Sequence, residues 1–167
     1  MIAALVVTAA LCWPPPVTSP VVRGFEPPAC TWCAGHRGLE YRPPADTPVT
    51  AVAAGVVVYT GVVAGTGYVV VRLPDGRRVT YGFVHRLAVR PGQPVSRGQI
   101  LAFSTDRVFL GLRAGEGDTD AYLDPGPLIG RWRGVARLLP LDGSAPRPAR
   151  TARTGARLTC ATGVDGR

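Results

Sequence analysis

Between residues 48 and 112 apolar and polar positions alternate with a period of two or gather in short β-branched blocks, the pattern of strands rather than of amphipathic helices. Residues 48–60 read as a β-branched run that follows a Pro-Pro-Ala-Asp turn, with Gly55 marking a bulge or a close backbone approach. Residues 68–73 and 78–84 flank Pro74-Asp75-Gly76, a turn whose glycine accepts positive φ, and together they make the best hairpin in the chain. Two short strand-turn units follow at 89–92 and 95–98, then strands at 99–103 and 107–112. One or two turns of helix are expected within 128–139. Strands at this spacing predict an all-β sandwich or barrel.

A length of 167 residues supports one domain, and 46% apolar residues are enough for a core. From Asp142 the composition shifts to Ser, Ala, Pro, Arg, Thr and Gly, which bury too little apolar area to offset ordering entropy, so residues 141–167 are expected to form a basic, disordered tail. All 19 basic residues are arginine. The absence of lysine excludes Schiff-base chemistry and a lipoyl or biotinyl carrier, although the strand pattern over 49–101 is similar to those hybrid barrels. The net charge of +8 suits an anionic polymer, but it is dispersed or gathered in the tail, and no specific nucleic-acid surface is expected.

Residues 2–11 form an apolar run too short to cross a bilayer as a helix and, with the prolines at 14–16, resemble a secretory signal, so residues 1–20 are read as a signal segment that carries Cys12 away with it. Leu11 stands where a lipobox wants a small residue, which argues against a lipoprotein. Export makes a Cys30–Cys33 disulfide the expected state of the Cys-Thr-Trp-Cys motif. Prolines before the motif and Ala-Gly after it do not supply the strand and helix of a thioredoxin-like centre, and no second CxxC completes a zinc ribbon.

The chain has only two histidines, His36 and His85. His36-Arg37-Gly38-Leu39-Glu40 resembles the His-x-Gly-x-Asp motif of the lysostaphin/LytM-type zinc endopeptidases that cut peptidoglycan cross-bridges. Thr47-Pro48-Val49-Thr50-Ala51, Ala54-Gly55-Val56-Val57, Val79-Thr80-Tyr81, the repeated Val-x-x-Gly units ending in Gly98-Gln99, and Tyr122-Leu123-Asp124-Pro125 follow in the family's order. The resemblance covers about residues 21–130 and implies a LytM-like β-sheet core of the duplicated hybrid or barrel-sandwich type, within a domain spanning 21–140.

The family's chemistry implies zinc held by three protein ligands, with water in the fourth place as the activated nucleophile. His36 matches the first ligand and Glu40 replaces the aspartate on a longer arm. Phe83 stands where the family has a catalytic histidine, Arg107 where it has another, and Phe109 where it has the third ligand. His85 lies two residues beyond Phe83, about 7 Å along an extended strand, which is large against metal–ligand distances of about 2 Å. The resemblance therefore implies a catalytically degenerate domain, secreted or envelope-associated, that binds or regulates at peptidoglycan or another anionic cell-wall polymer, with an envelope protein as a further partner. No cofactor is expected, zinc being the metal the remnant would take. The alternative is an active zinc peptidase with His36, Glu40 and His85 as substituted ligands.

Overall fold

The structure, a computed structural model, describes residues 12–30, 33–115, 121–133 and 157–159. Strands β1 (Val21–Arg23), β2 (Gly38–Tyr41), β3 (Pro48–Thr50), β4 (Gly55–Val63), β5 (Thr66–Arg72), β6 (Arg78–His85), β7 (Pro94–Val95), β8 (Ile100–Ala114) and β9 (Ala121–Leu123) form one open antiparallel sheet. Its order is β1-β2-β8-β6-β5-β4-β7, with β3 and β9 also paired to β8. A short 3-10 turn (Gly126–Leu128) follows, and β10 (Arg131–Arg133) pairs with β11 (Arg157–Thr159). The all-β expectation holds.

The meander β4–β5–β6 forms because its turns suit their residues. Ala64 and Gly65 both have positive φ between the paired Val63 and Thr66, the conformation that matches strand twist in a two-residue hairpin. At the next turn Gly76 has φ 87°, and the Asp75 carboxylate accepts hydrogen bonds from the Arg77 backbone N–H at 3.0 Å and its Nε at 2.7 Å. That guanidinium holds the Asp75 carboxyl below its ordinary pKa.

Alternation then sorts the side chains. Val57, Val69, Val71, Val79, Tyr81, Leu110 and Leu112 point to one face and are fully buried with Leu39 and Tyr41 of β2. Each such side chain contributes about 1.5–3 kcal/mol by leaving water. Trp13 and Val17 complete this core, so the segment read as a signal supplies packed residues from Trp13 onward. Cys12 is itself disulfide-bonded, and its carbonyl accepts from Arg97. Residues 2–11 lie outside the described residues, as does Cys160.

Four expectations differ from the structure. Residues 89–92 hold a turn without a strand, with Gly92 at φ 83°, whereas 95–98 is a strand-turn unit as expected, with Val95 in β7 and Gly98 at φ 82°. The two strands expected at 99–103 and 107–112 are one 15-residue strand, because the polar break at Ser104-Thr105-Asp106 is a bulge and not a turn. Residues 128–133 form no α-helix: Gly126, Pro127 and Gly130 punctuate the chain, and Ile129 is drawn into a bridge with Trp13. Residues 134–139 lie outside the described residues. Within the stretch expected to be a disordered tail, Arg157–Thr159 pairs with β10, while 141–156 and 160–167 lie outside the described residues.

The Tyr81 hydroxyl accepts the Val52 N–H at 2.9 Å inside the core. Tyr81→Phe should therefore cost about 1–3 kcal/mol in chemical denaturation, since it leaves that buried donor unpaired. Burial pushes the phenols of Tyr41 and Tyr81 well above their ordinary pKa of 10.0. An acid kept neutral in the fold contributes stability that is whole below its unfolded pKa and is lost as pH rises above it. Stability should be flat up to about pH 10 and fall above it, with a shallower fall in Tyr81→Phe.

Candidate metal centre

The face of the sheet opposite the core carries the residues that the sequence singled out. Cross-strand pairing sets Glu40 (β2), Phe109 (β8), Gly82 (β6) and Tyr68 (β5) in one row. Residues paired across an antiparallel sheet share a face, so Phe109 stands directly beside Glu40. His36 precedes β2 and is fixed by reciprocal backbone hydrogen bonds with Glu26, at 2.8 and 2.9 Å.

His36 Nδ1 lies 2.7 Å from the Gly24 carbonyl oxygen. A carbonyl only accepts, so Nδ1 carries a hydrogen, and Nε2 is turned toward Glu40, whose Oε2 is 3.9 Å away. This backbone-oriented imidazole is the arrangement that prepares histidine for a metal. Glu40 Oε1 faces two cations, Arg42 at 3.4 Å and Arg107 Nε at 3.7 Å. Both carboxylate and imidazole are nearly buried, with 13% and 11% of their side chains exposed.

The remaining places around them are not donors. The Phe109 ring meets His36 edge-on with centroids 5.7 Å apart. It sits on glycines: a Cβ built on Gly38 would come 2.7 Å from two of its ring carbons, and one on Gly111 would come 2.8 Å from a third. Gly82 leaves similar room for the Tyr68 ring. Phe83, at φ 59°, is the single β6 residue facing the β8 bulge between Ser104 and Phe109. Left-handed backbone is a genuine outlier for a bulky residue and persists only where its surroundings enforce it. The Arg107 guanidinium lies 4.6 Å from the Phe83 ring centroid, and the Phe83 carbonyl accepts from the Thr105 hydroxyl at 3.2 Å. Neither phenylalanine is fully buried.

His85 is drawn elsewhere. Its Nε2 lies 2.9 Å from Asp46 Oδ1, an ion-pair contact without hydrogen-bond geometry, and Arg86 meets the same oxygen at 2.7 Å. The structure thus brings His36, Glu40, Phe109 and Arg107 together, stacks Phe83 on Arg107, and leaves His85 with Asp46. Cys30 and Cys33 are joined by a disulfide with their Cα atoms 4.9 Å apart, closing the loop before His36. Sequence reasoning brought His36 and Glu40 together through the His-x-Gly-x-Asp resemblance. It missed the Gly24 carbonyl and the glycine bed under Phe109, which only the pairing register makes visible.

Two donors do not fit a catalytic zinc. Tetrahedral ligands at about 2.1 Å lie about 3.4 Å from each other, closer than His36 and Glu40, and the side chain lying against both is the hydrocarbon ring of Phe109. Among the described residues no three His, Cys, Asp or Glu side chains gather around one point.

Residues 34–110 match the model of peptidase family M23. An uncharacterized protein of Mycobacterium tuberculosis is 36% identical over 91 residues, which are 54% of this chain and 36% of that protein. The chain thus spans about a third of the length of the curated relatives it matches first. The catalytic domain of the antimicrobial peptidase lysostaphin from Staphylococcus simulans superposes over 65% of this chain and 90% of its own, with TM-score 0.55 and 20% identity. Csd3 of Helicobacter pylori covers 72% of this chain and 33% of its own, with TM-score 0.61 and 19% identity. At these identities the two structures establish the fold. Among the described residues no helix is long and apolar enough to cross a membrane.

Proposed function

We propose that this domain acts in the cell envelope as a catalytically degenerate M23 domain, binding or regulating at peptidoglycan or another anionic cell-wall polymer instead of cutting it. One observation carries the reading: the Phe109 ring lies against His36 and pairs across the strands with Glu40, where the family resemblance expects a third donor. A zinc bound by two side chains has no fixed geometry from which to polarise a peptide carbonyl and activate water. The net charge of +8 favours an anionic polymer as its partner.

Metal analysis and a sacculus assay test this together. Purified protein should hold less than stoichiometric zinc, release no fragments from sacculi or Gly-rich bridges, and be retained by sacculi in a pull-down. Stoichiometric zinc with hydrolysis that disappears in His36→Ala would overturn the proposal and favour an active peptidase built on His36, Glu40 and His85.

A further inference from the structure

We infer that the centre is a carboxylate-binding site, in which the Arg107 guanidinium takes the place of the metal as the cation that recognises a peptide chain end. The inference rests on the cell-wall reading and specifies its ligand.

Charge is the first reason. Arg42 and Arg107 both address the single Oε1 of Glu40. Two guanidiniums against one carboxylate leave an excess of one positive charge at a nearly buried point. Hydrogen-bond capacity is the second. Arg107 makes no hydrogen bond among the described residues, and its Nε is shielded from water at 3.7 Å from Glu40 without an acceptor in bonding geometry. A guanidinium has five N–H donors in a planar fork that matches a carboxylate. Pre-organisation is the third. Stacking on Phe83 holds the plane of that fork, so less freedom is lost when an anion arrives. The backbone strain at Phe83 fits this purpose, because the bulge puts the ring under the guanidinium.

The adjoining space defines the rest of the ligand. Beyond Phe83 a cavity of about 300 Å³ is lined by Val62, Val84, Leu87 and Thr105, with His85 and Arg86 also on its wall. It takes a short apolar side chain next to the carboxylate, as at the end of an alanine-terminated peptide. The single excess charge at Glu40 suits a monoanion better than a phosphate.

The test uses the full chain and three probes at constant ionic strength: N-acetyl-D-alanine, its primary amide, and inorganic phosphate. The Arg107 Nε–Hε resonance is followed by NMR, and affinity is measured in parallel. N-acetyl-D-alanine should shift that resonance saturably and bind at least about tenfold more tightly than the amide, the effect expected of charge-assisted hydrogen bonds. Arg107→Gln should abolish the difference, Arg107→Lys should restore only part of it, and Arg90→Gln, on an exposed turn, should leave it intact. If Arg107→Gln does not fold, Arg42→Gln, which lowers the same excess charge, should weaken acid binding and spare the amide. Equal binding of acid and amide, tighter binding of phosphate, or an unchanged acid preference in Arg107→Gln would overturn the inference. Native and carbodiimide-amidated sacculi separate its failure from that of the cell-wall reading. Equal retention on both overturns carboxylate recognition alone. Retention on neither overturns the cell-wall role and leaves the acid-to-amide ratio to decide the site.

Discussion

Trp13→Ala should lower the stability of the fold by about 3–5 kcal/mol, the cost of emptying the largest kind of core site. The ring is 2% exposed and packs within the main hydrophobic cluster. Its backbone donates to the Leu128 carbonyl at 2.8 Å and accepts from Gly130 N–H at 2.9 Å, so the residue also ties the 3-10 turn to the sheet. Just beyond it, the Pro16 carbonyl accepts both the backbone N–H and the hydroxyl of Thr50. A chain beginning at Val21 should therefore melt well below one beginning at Cys12, and urea titrations of the two and of Trp13→Ala measure the effect. A signal that ends before Trp13 is compatible with this packing, whereas cleavage after residue 20 removes Trp13 and Val17 from the core. Equal stability of the two chains would show that the segment adheres without contributing.

Gly38→Ala should cost about 1–3 kcal/mol by overpacking. The added methyl has nowhere to go: it meets the Leu110 carbonyl oxygen on one side and the Phe109 ring at 2.7 Å on the other. Gly24→Ala makes the control, because nothing lies within 4 Å of its Cβ, and it should stay within about 0.5 kcal/mol of the parent. Combining Gly38→Ala with Phe109→Ala should cost less than the sum of the two single changes, since the second relieves one of the two clashes. Strict additivity in denaturation would mean that the ring does not rest on Gly38.

These two residues mark what the sequence could and could not reveal. Gly38 was visible as part of His36-x-Gly38-x-Glu40, because residues two apart on a strand share a face and that spacing sets Glu40 beside whatever β8 provides. The β5–β6 hairpin was visible because Pro74-Asp75-Gly76 announces its own turn chemistry. Trp13 was hidden because an apolar run followed by prolines has the composition of a leader, and only tertiary contacts decide that its end is buried. The continuity of β8 was hidden because Ser104 looks like a turn residue. It is buried instead, its hydroxyl donating to the Pro44 carbonyl at 2.9 Å and accepting from Thr47 N–H at 3.1 Å. Phe83 was named from alignment with the family motif, but its left-handed backbone was not foreseen, since no glycine announces it.

The course of β8 sets a timetable for folding. One side of the strand is lined by β6, the other in succession by β9, β2 and β3. The β4–β5–β6 meander is held by neighbours in sequence and can close early, but β2 and β3 have no lasting partner on that side until residues 100–111 arrive, more than 50 positions later. Non-local pairing of this kind slows folding and leaves strand edges unpaired meanwhile. During synthesis His36 and Glu40 should thus stay unassembled until most of the sheet has left the ribosome, and changes along β8 should slow refolding more than equal losses in β1 or β7.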